Sequence, residues 1–168
     1  MQVPESEYAP FYGTYIGLVS EDVLADLKRQ IITIPTFFRE MPVEKADFAY
    51  APGKWTVKEV LGHLIDTEHI MMYRALRIAR ADATPLPGFE ENDYARVARY
   101  AERNMESLVA EFEALRTANM FFFTSLNDEE LQRIGMASGK LISVRALLFI
   151  IAGHVLHHKR VIEQRYLI

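Results

Sequence analysis

The chain contains no cysteine, which excludes disulfides, thiolate metal ligands and a cysteine nucleophile. This absence is compatible with a reducing compartment, and we expect a cytoplasmic protein. No apolar run approaches the roughly 20 residues that a membrane span needs, because the longest candidate covers only Ala146 to Gly153. The acidic N-terminal stretch lacks the features of a signal peptide, so a membrane is not an expected partner.

Positive charge is not concentrated anywhere in the sequence. The 19 lysines and arginines are outnumbered by 23 acidic residues, the net charge is −4, and both signs are spread along the chain. Nucleic acid is therefore not an expected partner. There is no internal repeat, low-complexity tract or linker, and a length of 168 residues suits one domain, which we place at residues 1–168.

Hydrophobic residues recur at helical spacing in four long segments, whereas no segment has a convincing strand pattern. The four predicted helices cover about 21–40, 56–80, 92–125 and 143–166. Together they predict an all-α four-helix bundle. The connection that begins at Ala81 contains two prolines and a glycine, and it leaves room for a crossover or for a lid on a site.

Local signals place the ends of these helices. Ser20 is predicted to cap the first helix, which Pro35 is expected to kink rather than end. Thr56 and Glu59 form a capping box at the start of the second helix, and Ser143 is predicted to cap the fourth.

Three shorter stretches connect or flank the helices. Residues 1–19 hold several aromatic residues among prolines and glycines, and we predict an irregular arm that packs over a bundle end or a groove. Asn127 with Glu130 predicts a short capped turn of helix. Residues 135–141 are predicted to form a polar turn around Gly139.

Histidines are the residues that suggest chemistry. His154 and His158 lie one helical turn apart on an apolar helix, so both rings project from one face and could bind the same metal ion. His63, on the inward stripe of the second helix, could supply a third nitrogen. Such a site leaves a coordination position open, as catalytic sites do. A histidine on an apolar helix is more often a core or surface residue, so the pair alone is a modest signal.

Two familiar metal motifs are excluded. A zincin protease needs His-Glu-x-x-His, but Val155 stands where the glutamate base would be. A ferritin-like di-iron site needs Glu-x-x-His twice, and Ile151 stands three residues before His154. Imidazole ligands suit zinc, nickel, copper and iron(II), so the type of ligand does not choose the metal.

Other polar residues near His63 have two interpretations. Glu59 lies one turn before it and Asp66 and Thr67 one turn after, so they could orient a metal ligand or act as a base. They could equally be polar groups of the helix surface. His69 lies about 120° around the helix from His63, and we expect it at a surface or an interface.

Three further residues are left with open alternatives. His157 is about 100° from His158 around the helix, so it could lie beside the metal ligands or face solvent. Arg74 and Arg77 could meet an anionic substrate, although solvated or ion-paired surface arginines are the simpler interpretation.

Several segments together resemble the DinB/YfiT-like superfamily. They are Lys54 to Glu68, Leu86 to Phe89, Asn92 to Tyr94 and Ile151 to His158, in the order of that family. The resemblance covers nearly the whole chain from the first helix onward. It implies an up-down-down-up bundle with a long crossover between helices 2 and 3, often as a homodimer. It also implies a divalent metal ion on His63, His154 and His158, for which we expect zinc or nickel, with iron as an alternative.

The resemblance is less specific about the reaction. Characterised members include transferases and isomerases that use bacillithiol or mycothiol, and the metal-binding domain of ergothioneine-forming sulfoxide synthases. It therefore implies a metal-dependent enzyme of the thiol S-transferase type, with a low-molecular-weight thiol and a small electrophile as substrates. Two alternatives stay open, namely a metal-dependent hydrolase and a dimeric metal-binding or stress-response bundle without turnover.

Overall fold

The structure is a computed structural model that describes residues 2–167; Met1 and Ile168, at the ends of the predicted domain, lie outside the described residues. Its helices and strands are α1 (Gly13–Ile16), α2 (Val23–Arg39), α3 (Val57–Ala79), α4 (Glu91–Val97), α5 (Met105–Ser125), α6 (Asp128–Gln132), β1 (Ile134–Ala137), β2 (Lys140–Ser143) and α7 (Val144–Arg165). The four long helices α2, α3, α5 and α7 form the bundle. None of the helices within residues 2–167 is both long and apolar enough to cross a membrane.

Contacts at the helix ends define the directions of the four helices. Arg39, at the end of α2, pairs with Glu106 at the start of α5, at 3.0 Å. The hydroxyl of Tyr166, after α7, donates to a backbone carbonyl just before α3, at 2.8 Å. Arg80, after α3, pairs with Glu130 in the helix that follows α5, at 2.7 Å. The topology is therefore up-down-down-up, with residues 80–104 as the crossover, which confirms the predicted fold.

A charged network lies inside the bundle. Arg116 is 0% exposed, and its guanidinium donates to both carboxylate oxygens of Glu68, at 2.7 and 2.8 Å. Arg116 also donates to the side-chain oxygen of Gln30 at 2.6 Å, and the Gln30 amide donates to the Ala152 carbonyl of α7 at 3.0 Å. Asn119 donates to Glu68 at 3.1 Å. The network joins all four long helices, and nothing in the hydrophobic pattern predicted it.

The start of α2 differs from the prediction. Asp22 is the N-cap, because its carboxylate accepts a hydrogen bond from a backbone N–H in the first turn, so the prediction that Ser20 caps this helix was wrong. Ser20 donates its own backbone N–H to the Asp26 carboxylate at 2.8 Å. The helix continues through Pro35 to Arg39, as expected.

The predicted third helix is in fact two helices. After α4, Arg99 adopts a left-handed φ of 55°, and Asn104 then caps α5 by accepting from the backbone N–H of Ser107 at 2.7 Å. The break places the ring of Tyr100 against α3, where a Cβ on Gly62 would lie 2.3 Å from a ring carbon. A contact between distant segments thus determines the break, and helical periodicity could not predict it.

The chain also contains a small β-hairpin, which the absence of a strand pattern had led us not to expect. β1 and β2 pair antiparallel through a turn in which Ser138 and Gly139 have φ of 53° and 72°, the positive values typical of a two-residue hairpin. The turn at Gly139 is confirmed, but residues 135–137 and 140–141 of the predicted polar turn belong to the two strands. Leu86 of the crossover bonds alongside β1 through the Met136 carbonyl, at 2.9 Å, and the Ser138 N–H, at 3.0 Å.

The N-terminal arm is only partly irregular, because it contains α1 and two 3-10 turns. Tyr15 of α1 crosses α7 so closely that a Cβ on Gly153 would lie 2.1 Å from the Tyr15 carbonyl oxygen. Glu7 forms an ion pair with Arg145 near the start of α7. The arm is thereby held along the helix that carries three of the histidines.

Candidate metal centre

His63 on α3 meets His154 and His158 on α7 inside the bundle. The Nε2 atoms of His63 and His154 are 3.0 Å apart, and the potential ligand atoms of all three residues lie within 4.8 Å of one another. The ring centroids are separated by 4.6 to 5.0 Å. Within residues 2–167, this is the one group of three or more potential ligands that could share an ion.

Burial keeps these imidazoles neutral. His63 and His154 are 7% and 6% exposed, and His158 is half-buried. Burial lowers the pKa of His63 to about 4, and burial followed by the neighbouring histidines lowers the pKa of His158 to about 3. The pKa of His154 is lowered in the same direction, first by burial and then by His158. At neutral pH each ring therefore keeps a nitrogen lone pair available for a cation.

The spacing of the nitrogens fits a shared cation. Two tetrahedral zinc ligands, each bonded at about 2.0–2.1 Å, lie about 3.3 Å from each other. The 3.0 Å separation of His63 and His154 is close to this value, and the third nitrogen, on His158, lies within 4.8 Å of both. Three neutral imidazoles suit a divalent metal ion.

Neighbouring groups orient the histidine rings. The hydroxyl of Thr67 is 3.5 Å from Nδ1 of His63, and Nε2 of that ring faces His154. The Trp55 ring lies 4.7 Å from the His63 ring, and the Tyr15 ring meets the His154 ring at 5.3 Å. Contacts of this kind around a ligand fix its direction. Thr67 is thus placed as one sequence interpretation suggested.

The three histidines line one end of a cavity of about 490 Å³, which is within the usual range for small-molecule sites. Its walls come from α3, α7, the arm, the crossover and the hairpin turn. The other lining residues are Phe11, Tyr12, Tyr15, Trp55, Thr67, Met71, Arg74, Phe89, Glu91, Ser138, Ile150 and His157. The histidines thus share a cavity whose wall mixes aromatic and polar side chains.

Glu59 and Asp66 are not brought to this cavity. Glu59 accepts from the backbone N–H and the hydroxyl of Thr56, at 2.7 and 3.0 Å, so its carboxylate belongs to the capping box. Asp66 is oriented towards Tyr100; burial raises its pKa, and the hydrogen bond from the Tyr100 hydroxyl partly opposes that rise. Their contacts are those of structural groups of α3.

The remaining candidates divide between surface and cavity. His69 is exposed, as predicted. His157 is half-buried, and its ring lies 5.3 Å from that of Tyr15 at the cavity wall. Arg77 pairs with Asp82 at the surface, as the simpler interpretation held. Arg74, in contrast, is only 2% exposed and lines the cavity, so the surface interpretation was wrong for this residue.

Several cavity residues were not identified from the sequence. Tyr12 and Tyr15 come from the arm, and Trp55 from the turn before α3. The aromatic arm was predicted to pack over a bundle end or a groove, and it packs over the cavity that the histidines line. Glu91 and Ser138 gave no signal that separates them from ordinary loop and helix-end residues.

The fold and the histidines together define a four-helix bundle with a candidate divalent-metal centre on two neighbouring helices. The sequence profile of the DinB superfamily matches residues 27–162. The chain therefore belongs to the DinB superfamily, which confirms the resemblance noted in the sequence.

Proteins with related sequences carry the name "putative metal-dependent hydrolase". One from Bacillus licheniformis is 26% identical over 141 residues, which cover 82% of this chain and 80% of that protein. One from Oceanobacillus iheyensis is 25% identical over 149 residues, 84% and 85% of the two chains. For a third, from Bacillus mycoides, the match is 24% identical over 89 residues and spans about half of each protein, 50% and 51%.

A solved structure has the same fold. YfiT from Bacillus subtilis, described as a probable metal-dependent hydrolase with an unusual four-helix bundle topology, superposes with a TM-score of 0.67. The match covers 98% of this chain and 90% of YfiT at 20% sequence identity. At this identity the similarity concerns the fold alone.

Proposed function

We propose that this protein is a metal-dependent hydrolase of a small molecule, with His63, His154 and His158 as the ligands of a divalent ion. The observation that carries the proposal is the meeting of three neutral imidazoles in the wall of a cavity of small-molecule size. The names of the relatives from three bacilli support it. Zinc or nickel is the proposed ion, with iron as the alternative, because all three accept imidazole nitrogen.

The residues of the chain have separate tasks in this proposal. The three histidines hold the ion, Thr67 keeps the His63 ring in place, and Tyr15 and Trp55 exclude bulk water from the rings. When bound, such an ion supplies Lewis-acid chemistry to whatever occupies the position that faces the cavity. The cavity walls orient the substrate towards that position.

A thiol S-transferase is the second candidate. It is favoured by the absence, in the described residues, of any carboxylate among the group of potential ligands, since a thiol can bind a metal directly without a separate base. Its substrates would be a low-molecular-weight thiol and a small electrophile. We also propose a cytoplasmic homodimer, and a bundle that binds metal without turnover is the non-catalytic alternative.

The test compares His63→Ala with His69→Ala, two substitutions of the same residue type on the same helix. Metal content is measured by mass spectrometry after purification, and thermal stability by calorimetry with and without chelator. We expect wild type and His69→Ala to hold one ion and to gain stability from it, and His63→Ala to do neither. Equal metal content in both variants would contradict the proposed ligand set.

The reaction type is tested on the metal-loaded protein. One panel contains chromogenic esters and amides, and a second combines a chromogenic electrophile with several low-molecular-weight thiols. Turnover of the first panel without added thiol supports the hydrolase, and thiol-dependent turnover of the second supports the transferase. If a fully metal-loaded protein turns over neither panel, the non-catalytic alternative is favoured.

A further inference from the structure

Arg74 is a buried cation that has no carboxylate partner in the described part of the chain. Its side chain is 2% exposed and lines the same cavity as the histidines. One guanidinium nitrogen donates to the Pro87 carbonyl at 2.8 Å and to the Ser138 hydroxyl at 2.9 Å. The other terminal nitrogen lies 3.7 Å from the Met71 sulfur, and the Tyr12 hydroxyl provides a further contact.

These partners satisfy hydrogen bonds but do not neutralise the charge. A carbonyl, two hydroxyls and a thioether are all uncharged, whereas buried charges in proteins are normally paired. The chain pairs its other fully buried arginine in this way, because Arg116 binds both carboxylate oxygens of Glu68. The contrast indicates that the counter-charge of Arg74 comes from a molecule in the cavity.

The position of Arg74 relative to the histidines sets the shape of that molecule. His63, Thr67, Met71 and Arg74 follow one another along the cavity face of α3. The Cα atoms of His63 and Arg74 are about 16 Å apart on an ideal helix. Helical side chains tilt towards the N-terminus, so the Arg74 guanidinium reaches back towards the histidines. A ligand of moderate length can therefore contact both ends of the cavity.

We propose that the cavity binds a small molecule that bears an oxyanion, a carboxylate or a phosphate, on Arg74 while its reacting group faces the three histidines. This proposal rests on the proposed function for the role of the histidine end. The guanidinium fork suits either oxyanion, and the hydroxyls of Tyr12 and Ser138 stand beside it to donate further hydrogen bonds. Glu91 lines the cavity as an exposed residue and forms no ion pair with Arg74.

Trp55 provides the assay, because it is the single tryptophan of the chain and lines the cavity. Its fluorescence is titrated in the zinc-loaded protein with 3-phenylpropanoate and with 3-phenylpropanamide, which differ in charge but hardly in shape. Phenyl phosphate forms a second arm that separates phosphate from carboxylate. We expect whichever of 3-phenylpropanoate and phenyl phosphate binds more tightly to bind at least about tenfold more tightly than 3-phenylpropanamide. A charge-assisted hydrogen bond would give a difference of this size.

The variants identify where the acid binds. Arg74→Gln should lose the preference for the oxyanion, Arg74→Lys should keep part of it, and the surface control Arg77→Gln should keep all of it. Equal binding of acid and amide by the wild type overturns the proposal. A preference that persists in Arg74→Gln and disappears when zinc is chelated also overturns it, because the acid would then be bound by the metal.

Two measurements distinguish a failure of this proposal from a failure of the proposed function and from misfolding of a variant. If the wild type binds no zinc but still prefers the oxyanion, and Arg74→Gln abolishes that preference, the metal proposal fails and the anion site stands. If Arg74→Gln does not fold, the titration of chelator-treated wild type decides, because the preference must survive there. Its absence in the folded, zinc-free protein overturns the proposal.

Discussion

Replacing Arg116 by Met should destabilise the bundle more than any surface substitution. The Glu68 carboxylate is 2% exposed, and the change removes both of the hydrogen bonds that it accepts from the guanidinium. The side-chain oxygen of Gln30 also loses the hydrogen bond that it accepts from Arg116. Removal of one partner from a buried ion pair costs about 3–5 kcal/mol. In a domain of this size, each kcal/mol lowers Tm by roughly 2–4 °C, so we expect a loss of about 10 °C.

The measurement is thermal unfolding by circular dichroism together with urea unfolding of the metal-loaded protein. The double variant Arg116→Met/Glu68→Gln removes both charges and should recover much of the loss, since the cost arises from an unpaired charge rather than from the missing pair. Arg96→Met, which removes an arginine from an exposed pair with Asp93, serves as the control and should change Tm little. A single variant as stable as wild type, or a double variant no better than the single, would refute this reasoning.

Two further predictions concern the arm. Gly153→Ala should displace it, because the new Cβ would lie 2.1 Å from the Tyr15 carbonyl oxygen; limited proteolysis should then cut the arm faster, whereas Gly13→Ala, whose Cβ would meet only a side chain at 3.9 Å, should not change the rate. Glu7→Gln should reduce the loss of stability in acid. The Arg145 guanidinium lowers the pKa of Glu7 below 4.5, so the ion pair stabilises the protein above that pH and the contribution disappears as the pH falls further. Tm measured from pH 7 to 3 should therefore fall less steeply for the variant, and parallel curves would contradict the assignment.

The sequence was informative where the structure depends on local rules. Helical periodicity and side-chain caps located three of the four long helices, including the starts of α3 at Thr56 and of α7 at Ser143. The same periodicity placed His154 and His158 on one face and His63 on an inward stripe. To predict that these two faces meet, the arrangement of the helices in the bundle must be known, and the family resemblance implied that arrangement.

The features that could not be predicted depend on contacts between distant segments. The left-handed Arg99 and the break after α4 exist because Tyr100 packs where Gly62 has no side chain. Arginine is usually found at the protein surface, and only the assembled bundle shows that Arg116 and Arg74 are buried. The hairpin turn joins the arm and the crossover in the cavity wall through Ser138, and no local signal predicted that contact.

Two of the candidate ligands directly follow a glycine against which a distant segment packs. His63 follows Gly62, which is covered by the Tyr100 ring, and His154 follows Gly153, which is covered by the backbone of Tyr15. At both places a foreign segment lies directly on the helix backbone, without an intervening side chain. In each helix, one residue thus accommodates a distant segment while the next residue faces the candidate centre. Changes at the glycine that move the packed segment are therefore expected to act on the neighbouring imidazole through the same turn of helix.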